Sequence, residues 1–172
     1  FLGLSYKNTD SEYGTVAEPT VFIDLNQDRY DLRGEYRFDQ GPLQAVRGSV
    51  GHATYTHTEF EDVGQPGTVF NSDGTEARLD LVQRTRDGWN GAWGVQGLER
   101  TFEAIGEEAF VPTSDISEIG VYTVQRLDRA GWGVEGGLRF DRRELSATPI
   151  GGASEVTRSF DNWSASVAGF LK

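Results

Sequence analysis

The chain has 172 residues, enough for a sizeable core, yet only 37% are hydrophobic and 22 are glycine. A net charge of -11, from 16 Lys and Arg against 27 Asp and Glu, argues against a nucleic-acid partner, because phosphate binding rests on clustered positive charge. The lack of cysteine excludes a disulfide framework and a thiolate metal site, and no apolar run approaches the roughly 20 residues of a membrane helix, which leaves strand-built membrane proteins open.

Sustained helical periodicity is absent, so the fold class is all-β. Alternation and β-formers place extended segments near 1–6, 20–38, 43–58, 75–85, 91–101, 118–127, 132–146 and 159–171. The chain begins at Phe1 inside the first of them, without a signal peptide, and reads as a processed chain or a piece of one. In the second, Tyr30, Leu32, Gly34, Tyr36 and Phe38 share one face, while Asp31, Arg33, Glu35 and Arg37 form a fully ionic face. Further on, Ala77, Leu79 and Leu81 oppose Glu76, Arg78 and Asp80. Trp132, Val134, Gly136, Leu138 and Phe140 oppose Gly133, Glu135, Gly137, Arg139 and Asp141. In the last segment Trp163, Ala165, Val167 and Leu171 oppose Asn162, Ser164 and Ser166.

The links alternate in length. Asp39-Gln40-Gly41-Pro42, Arg86-Asp87-Gly88 and Asp128-Arg129-Ala130-Gly131 are tight-turn sequences, whereas the links around 7–19, 59–74, 102–117 and 147–158 are long. In an up-and-down meander every short turn then falls at one end, as in outer-membrane barrels. Tyr30, Tyr36, Phe38, Trp93, Trp132, Phe140 and Trp163 sit near the expected strand ends, where an aromatic girdle meets a bilayer interface. On this reading Asp31, Arg33, Glu35, Arg37, Arg78, Asp80, Glu135 and Arg139 face a wet lumen, and Tyr36, Leu79, Trp132, Val134, Leu138, Phe140 and Trp163 face lipid. A soluble antiparallel sandwich is the competing architecture.

Catalytic constellations are poor, and the expectation is that the protein is not an enzyme and holds no cofactor or metal. His52 and His57, five apart in one strand, fall on opposite faces. Asp24, Asn26 and Asp28 with Glu35 have calcium-loop spacing, but Arg29 stands where that loop needs glycine. Asn71-Ser72-Asp73-Gly74 is a strong turn signal, and Asn162-Trp163-Ser164 matches a glycosylation sequon within a strand. The carboxylates Glu59, Glu61, Asp62, Glu103, Glu107, Glu108, Asp115 and Glu118 read as solvated loop residues.

Several linked motifs carry a family resemblance across essentially the whole chain. Asp10-Ser11-Glu12-Tyr13-Gly14, followed by Arg29-Tyr30-Asp31-Leu32-Arg33-Gly34-Glu35, resembles barrel strands of TonB-dependent outer-membrane receptors, especially the subgroup similar to zinc-uptake receptors. "GTVFNSDGTEARLDLVQ", "GVQGLERTFEAIGEEAFVP" and "LDRAGWGVEGGLRFDRREL" are similar to successive strands of such barrels. The resemblance implies active uptake of a scarce nutrient, such as a metal complex, across the bacterial outer membrane. It also implies a plugged barrel of many more strands and an inner-membrane energising complex as partner. Residues 1–172 hold about eight strands and no plug, so a barrel fragment or a shortened derivative is expected. Thr15-Val16-Ala17-Glu18-Pro19 stands where zinc-type receptors carry a histidine-rich stretch, which puts zinc as cargo in doubt. Two alternatives stay open: a small closed eight-stranded barrel with a structural or adhesive role, and a soluble carbohydrate-binding β-sandwich.

Overall fold

The computed structural model describes residues 1–172 except 17, 19, 63, 64, 107, 108, 152 and 153, and the backbone alone of residue 62. Its strands are β1 (Leu2–Gly14), β2 (Phe22–Arg37), β3 (Leu43–Asp62), β4 (Gln65–Gln83), β5 (Trp89–Gly106), β6 (Ser114–Asp128), β7 (Trp132–Ala147) and β8 (Val156–Leu171). Each pairs antiparallel with its chain neighbour in one sheet of order β1 to β8, and no helix occurs among the described residues. The all-β, up-and-down reading is the architecture observed.

The strands run further than local sequence suggests. β3 and β4 are 20 and 19 residues long, so the link expected over 59–74 reduces to 63–64. Asn71-Ser72-Asp73-Gly74 is not a turn, which corrects the sequence reading. Asn71 pairs with Thr56 on β3 and Glu103 on β5, and two flanking ladders override a four-residue turn preference. Likewise Glu59, Glu61, Glu103, Asp115 and Glu118 are strand residues rather than loop carboxylates, as is the backbone of Asp62. Glu107 and Glu108 lie outside the described residues. Links 38–42, 84–88 and 129–131 share one end of the sheet, and the asymmetry of the two ends comes largely from strand overhang at the other.

Neither alternative architecture matches this sheet. β1 and β8 do not pair, so the sheet is open and does not close into a small eight-stranded barrel. No second sheet packs on it, and Ile23 and Ala45 are the buried hydrophobic residues among those described, which is no sandwich core.

The Asp87-Gly88 turn shows how the short end is locked. Both residues have positive φ, 51° and 73°, the requirement of a type I′ hairpin, and Arg86 and Trp89 exchange backbone hydrogen bonds of 2.9 Å across it. The Gly88 carbonyl accepts a 2.8 Å bond from the Asp128 amide of the neighbouring turn. A methyl group on Gly88 would lie 2.1 Å from the Asp128 carbonyl oxygen. Gly88→Ala is therefore expected to cost about 1–3 kcal/mol in denaturant unfolding, while Gly131→Ala, which meets nothing within 4 Å, leaves stability nearly unchanged.

Candidate functional site

Directly paired residues of an antiparallel sheet point to the same face, so the register carries one parity across all the strands. One row runs Leu2, Gly34, Gly48, Leu79, Val95, Val121, Phe140 and Trp163. The adjacent row on the opposite face runs Glu35, Arg47, Asp80, Gly94, Tyr122, Arg139 and Ser164. The register thus puts Tyr36, Leu79, Trp132, Val134, Leu138, Phe140 and Trp163 on one face. It puts Asp31, Arg33, Glu35, Arg37, Arg78, Asp80, Glu135 and Arg139 on the other.

Burial is inverted relative to a soluble sheet. On central strands Leu79, Trp93, Val121 and Leu138 are 43–52% exposed, while the carboxylate side chains of Asp31, Asp80 and Asp141 are 17–19% exposed. Side chains crowd on the inside of a curled sheet and splay on its outside, so the ionic face is the inner one. Among the described residues, every strand-borne Lys and Arg except Arg142 projects from that inner face.

The apolar face is confined to a band. In β2 it ends at Tyr30, whose ring packs tilted against that of Tyr6 with centroids 4.9 Å apart, and the next outward residue is Asp28. In β7 it ends at Phe140, against Trp163 at 4.8 Å, and the next outward residue is Arg142. Tyr30, Phe140 and Trp163 are consequently mid-strand, which corrects their expected place near strand ends, because the strands continue well past the band. Both limits of the band step down the strands from β2 to β7: the upper from the Tyr30 row to the Phe140 row, the lower from the Tyr36 row to the Trp132 row. A slab of constant thickness crossed by tilted strands leaves this oblique imprint. Beyond the band the outer face turns acidic, carrying Asp28, Asp73, Glu99, Asp115, Glu144 and Asp161.

The inner face is a lattice of paired charges. Arginine and carboxylate two apart on one strand meet repeatedly: Arg29 with Asp31 at 2.8 Å, Arg78 with Asp80 at 2.9 Å and Arg126 with Asp128 at 2.7 Å. Arg37 with Glu35 and Arg139 with Asp141 repeat the arrangement. Cross-strand pairs tie these together, including Arg29 to Glu76 at 2.7 Å and Arg47 to Glu35 at 2.7 Å. Tyr122 is the hub. Its ring lies over Gly94, its hydroxyl donates to Asp80, and Arg78 and Arg139 stand 5.0 and 5.4 Å from its centroid. Tyr122 and Arg47 escaped sequence reasoning because their roles depend on cross-strand register.

The histidines do lie on opposite faces, His52 against Thr75 at 2.9 Å and His57 against Tyr55 at 3.1 Å. Asp24, Asn26 and Asp28 point outward, whereas Glu35 points inward to Arg37 and Arg47, so the four do not converge on one ion. Asn162 and Ser164 share the inner face, with Trp163 between them on the outer face. Among the described residues no group of three His, Asp or Glu is placed to hold a metal.

No protein-family model matches the chain. A solved structure, the copper transporter OprC, superposes with a TM-score of 0.80 at 16% identity over 98% of this chain. The chain spans 31% of the length of that structure. At this identity the likeness shows the fold, a long-stranded antiparallel meander found within a larger protein.

The Tyr122 hub is testable by adding one methyl group. A Cβ on Gly94 would fall 2.1 Å from the Tyr122 ring, whereas one on Gly97, facing outward, comes no nearer than 3.8 Å to any neighbour. Gly94→Ala should cost about 1–3 kcal/mol in unfolding measurements and Gly97→Ala well under that.

Proposed function

We propose that this chain is part of the barrel wall of a bacterial outer-membrane receptor of the TonB-dependent type, one that takes up a scarce nutrient such as a metal complex. The oblique apolar band carries this reading. From Trp132 to Phe140 it is nine residues of strand, within the roughly 9–11 that a tilted membrane strand needs. An exposed aliphatic and aromatic band around a charge-lined interior is stable when lipid covers the band and water fills the inside.

Under this reading Asp31, Arg33, Glu35, Arg37, Arg78, Asp80, Glu135 and Arg139 line the lumen, and Tyr36, Leu79, Trp132, Val134, Leu138, Phe140 and Trp163 meet lipid. The free edges of β1 and β8 pair with further strands of the same barrel, because a sheet edge cannot stand unpaired in hydrocarbon. A plug and an inner-membrane energising complex are the partners that the family resemblance supplies. The similarity to a copper transporter agrees with a role in nutrient passage.

A lysine placed in the band tests the assignment. Leu138→Lys should lower folding stability in bilayers by about 2–4 kcal/mol, and Glu135→Gln by much less, because a charge in hydrocarbon is costly while the lumen is wet. Equal costs, or a larger loss at Glu135, would mean that the apolar face is not a lipid face.

A further inference from the structure

The apolar band is not smooth. Gly34 and Gly48 are paired on its outer face, and Ala77 and Gly97 are paired one outward row higher. Together they floor a trough of about 1050 Å³, walled by Leu32 and Val50 on one side and by Leu79 and Val95 on the other. The floor climbs the strands from β2 to β5, whereas the limits of the band descend them, so the trough crosses the thickness of the band instead of following its length. A lipid chain lying against the wall has that direction.

The upper end of the trough is polar. Thr75, Glu99 and Ser117 line it, and Ile119 joins it to Arg142, its partner on β7. Among the described residues Arg142 is the one strand-borne cation on the outer face, and it is exposed and makes no ion pair or side-chain hydrogen bond, although Asp161 stands opposite it on β8. The outward residues of β7 run Phe140, Arg142, Glu144, and Glu144 and Glu99 flank Ser117 in one row. Leaving the band, the wall therefore presents apolar surface, then a positive charge, then two negative ones. A lipid head with a phosphate next to its chains and an ammonium beyond the phosphate has the complementary order. We propose that the trough and Arg142 bind one zwitterionic phospholipid of the phosphatidylethanolamine type. A chain fills the trough, the Arg142 guanidinium holds the phosphate, and the ammonium turns toward Glu99 and Glu144. A purely anionic head lacks that ammonium and meets Glu99, Glu144 and Asp161 with its charge uncompensated. The proposal rests on the membrane part of the receptor reading and adds lipid selectivity to it.

The test uses the full-length protein in detergent. Phosphatidylethanolamine, phosphatidylglycerol and diacylglycerol with the same chains are titrated in separately, and bound lipid is counted by native mass spectrometry. Saturable binding of one phosphatidylethanolamine is expected, about tenfold tighter than either of the others. Arg142→Gln should abolish most of the preference over diacylglycerol. Gly97→Leu, whose Cβ meets nothing nearer than the Glu118 carbonyl oxygen at 3.8 Å, keeps the fold, fills the trough and should weaken all three lipids about tenfold. Gly136→Leu, within the band but away from the trough, should leave binding unaltered. Phosphatidylglycerol bound as tightly as phosphatidylethanolamine or more so, no saturable binding, or indifference to either Arg142→Gln or Gly97→Leu would each overturn the site, and the comparison of heads needs no variant. Lipid selectivity in a protein that takes up no nutrient would sink the receptor reading and leave the site standing. Nutrient uptake by a protein without this selectivity would do the reverse.

Discussion

Everything in this molecule depends on the unbroken antiparallel register. Side chains alternate with a period of two, so a slip of one residue in any strand would carry its arginines into the apolar band and its tryptophans into the ionic lattice. Register shifts occur within the β3–β4 pairing, between Leu43 and Ala45 and around Glu59 to Asp62, at the two extremities of β3. Through the band itself the pairing is regular, and that regularity keeps Leu79, Val95, Val121 and Phe140 in one row.

The inner lattice follows from that register and reinforces it. A single exposed ion pair contributes little, about 0–1 kcal/mol. The repeated pairs work differently when they are coupled: Arg29 bridges Asp31 on its own strand and Glu76 on β4, spanning the intervening β3. Tyr122 joins Asp80, Arg78 and Arg139 in the same way, and Gly94 makes room for its ring. A slipped strand would leave several half-buried carboxylates without partners at once, which penalises wrong registers more than it deepens the right one.

The same lattice sets the functional character of the inside. Its carboxylates are largely consumed by neighbouring arginines, so the chain as a whole is strongly acidic while the inner wall is not. The acidic excess stands on the outer face beyond the band and in the links.

Strand identity, the all-β class and the two-faced character of 30–38, 76–81 and 132–141 were legible in the sequence, because alternation is a local property of consecutive side chains. The recurring arginine-x-aspartate at 29 and 31, 78 and 80, 126 and 128, and 139 and 141 was equally visible. Local signals misjudged where strands stop: Asn71-Ser72-Asp73-Gly74 has the chemistry of a turn and lies in the middle of β4. Backbone pairing on both sides supplies more than a turn preference can oppose, and that pairing is known only once β3 and β5 are in place. The oblique outline of the band, the openness of the sheet and the Tyr122 hub belong to the tertiary structure. Each depends on which residues stand opposite one another on different strands, and residues far apart in the chain carry no record of that relation in their own neighbourhoods.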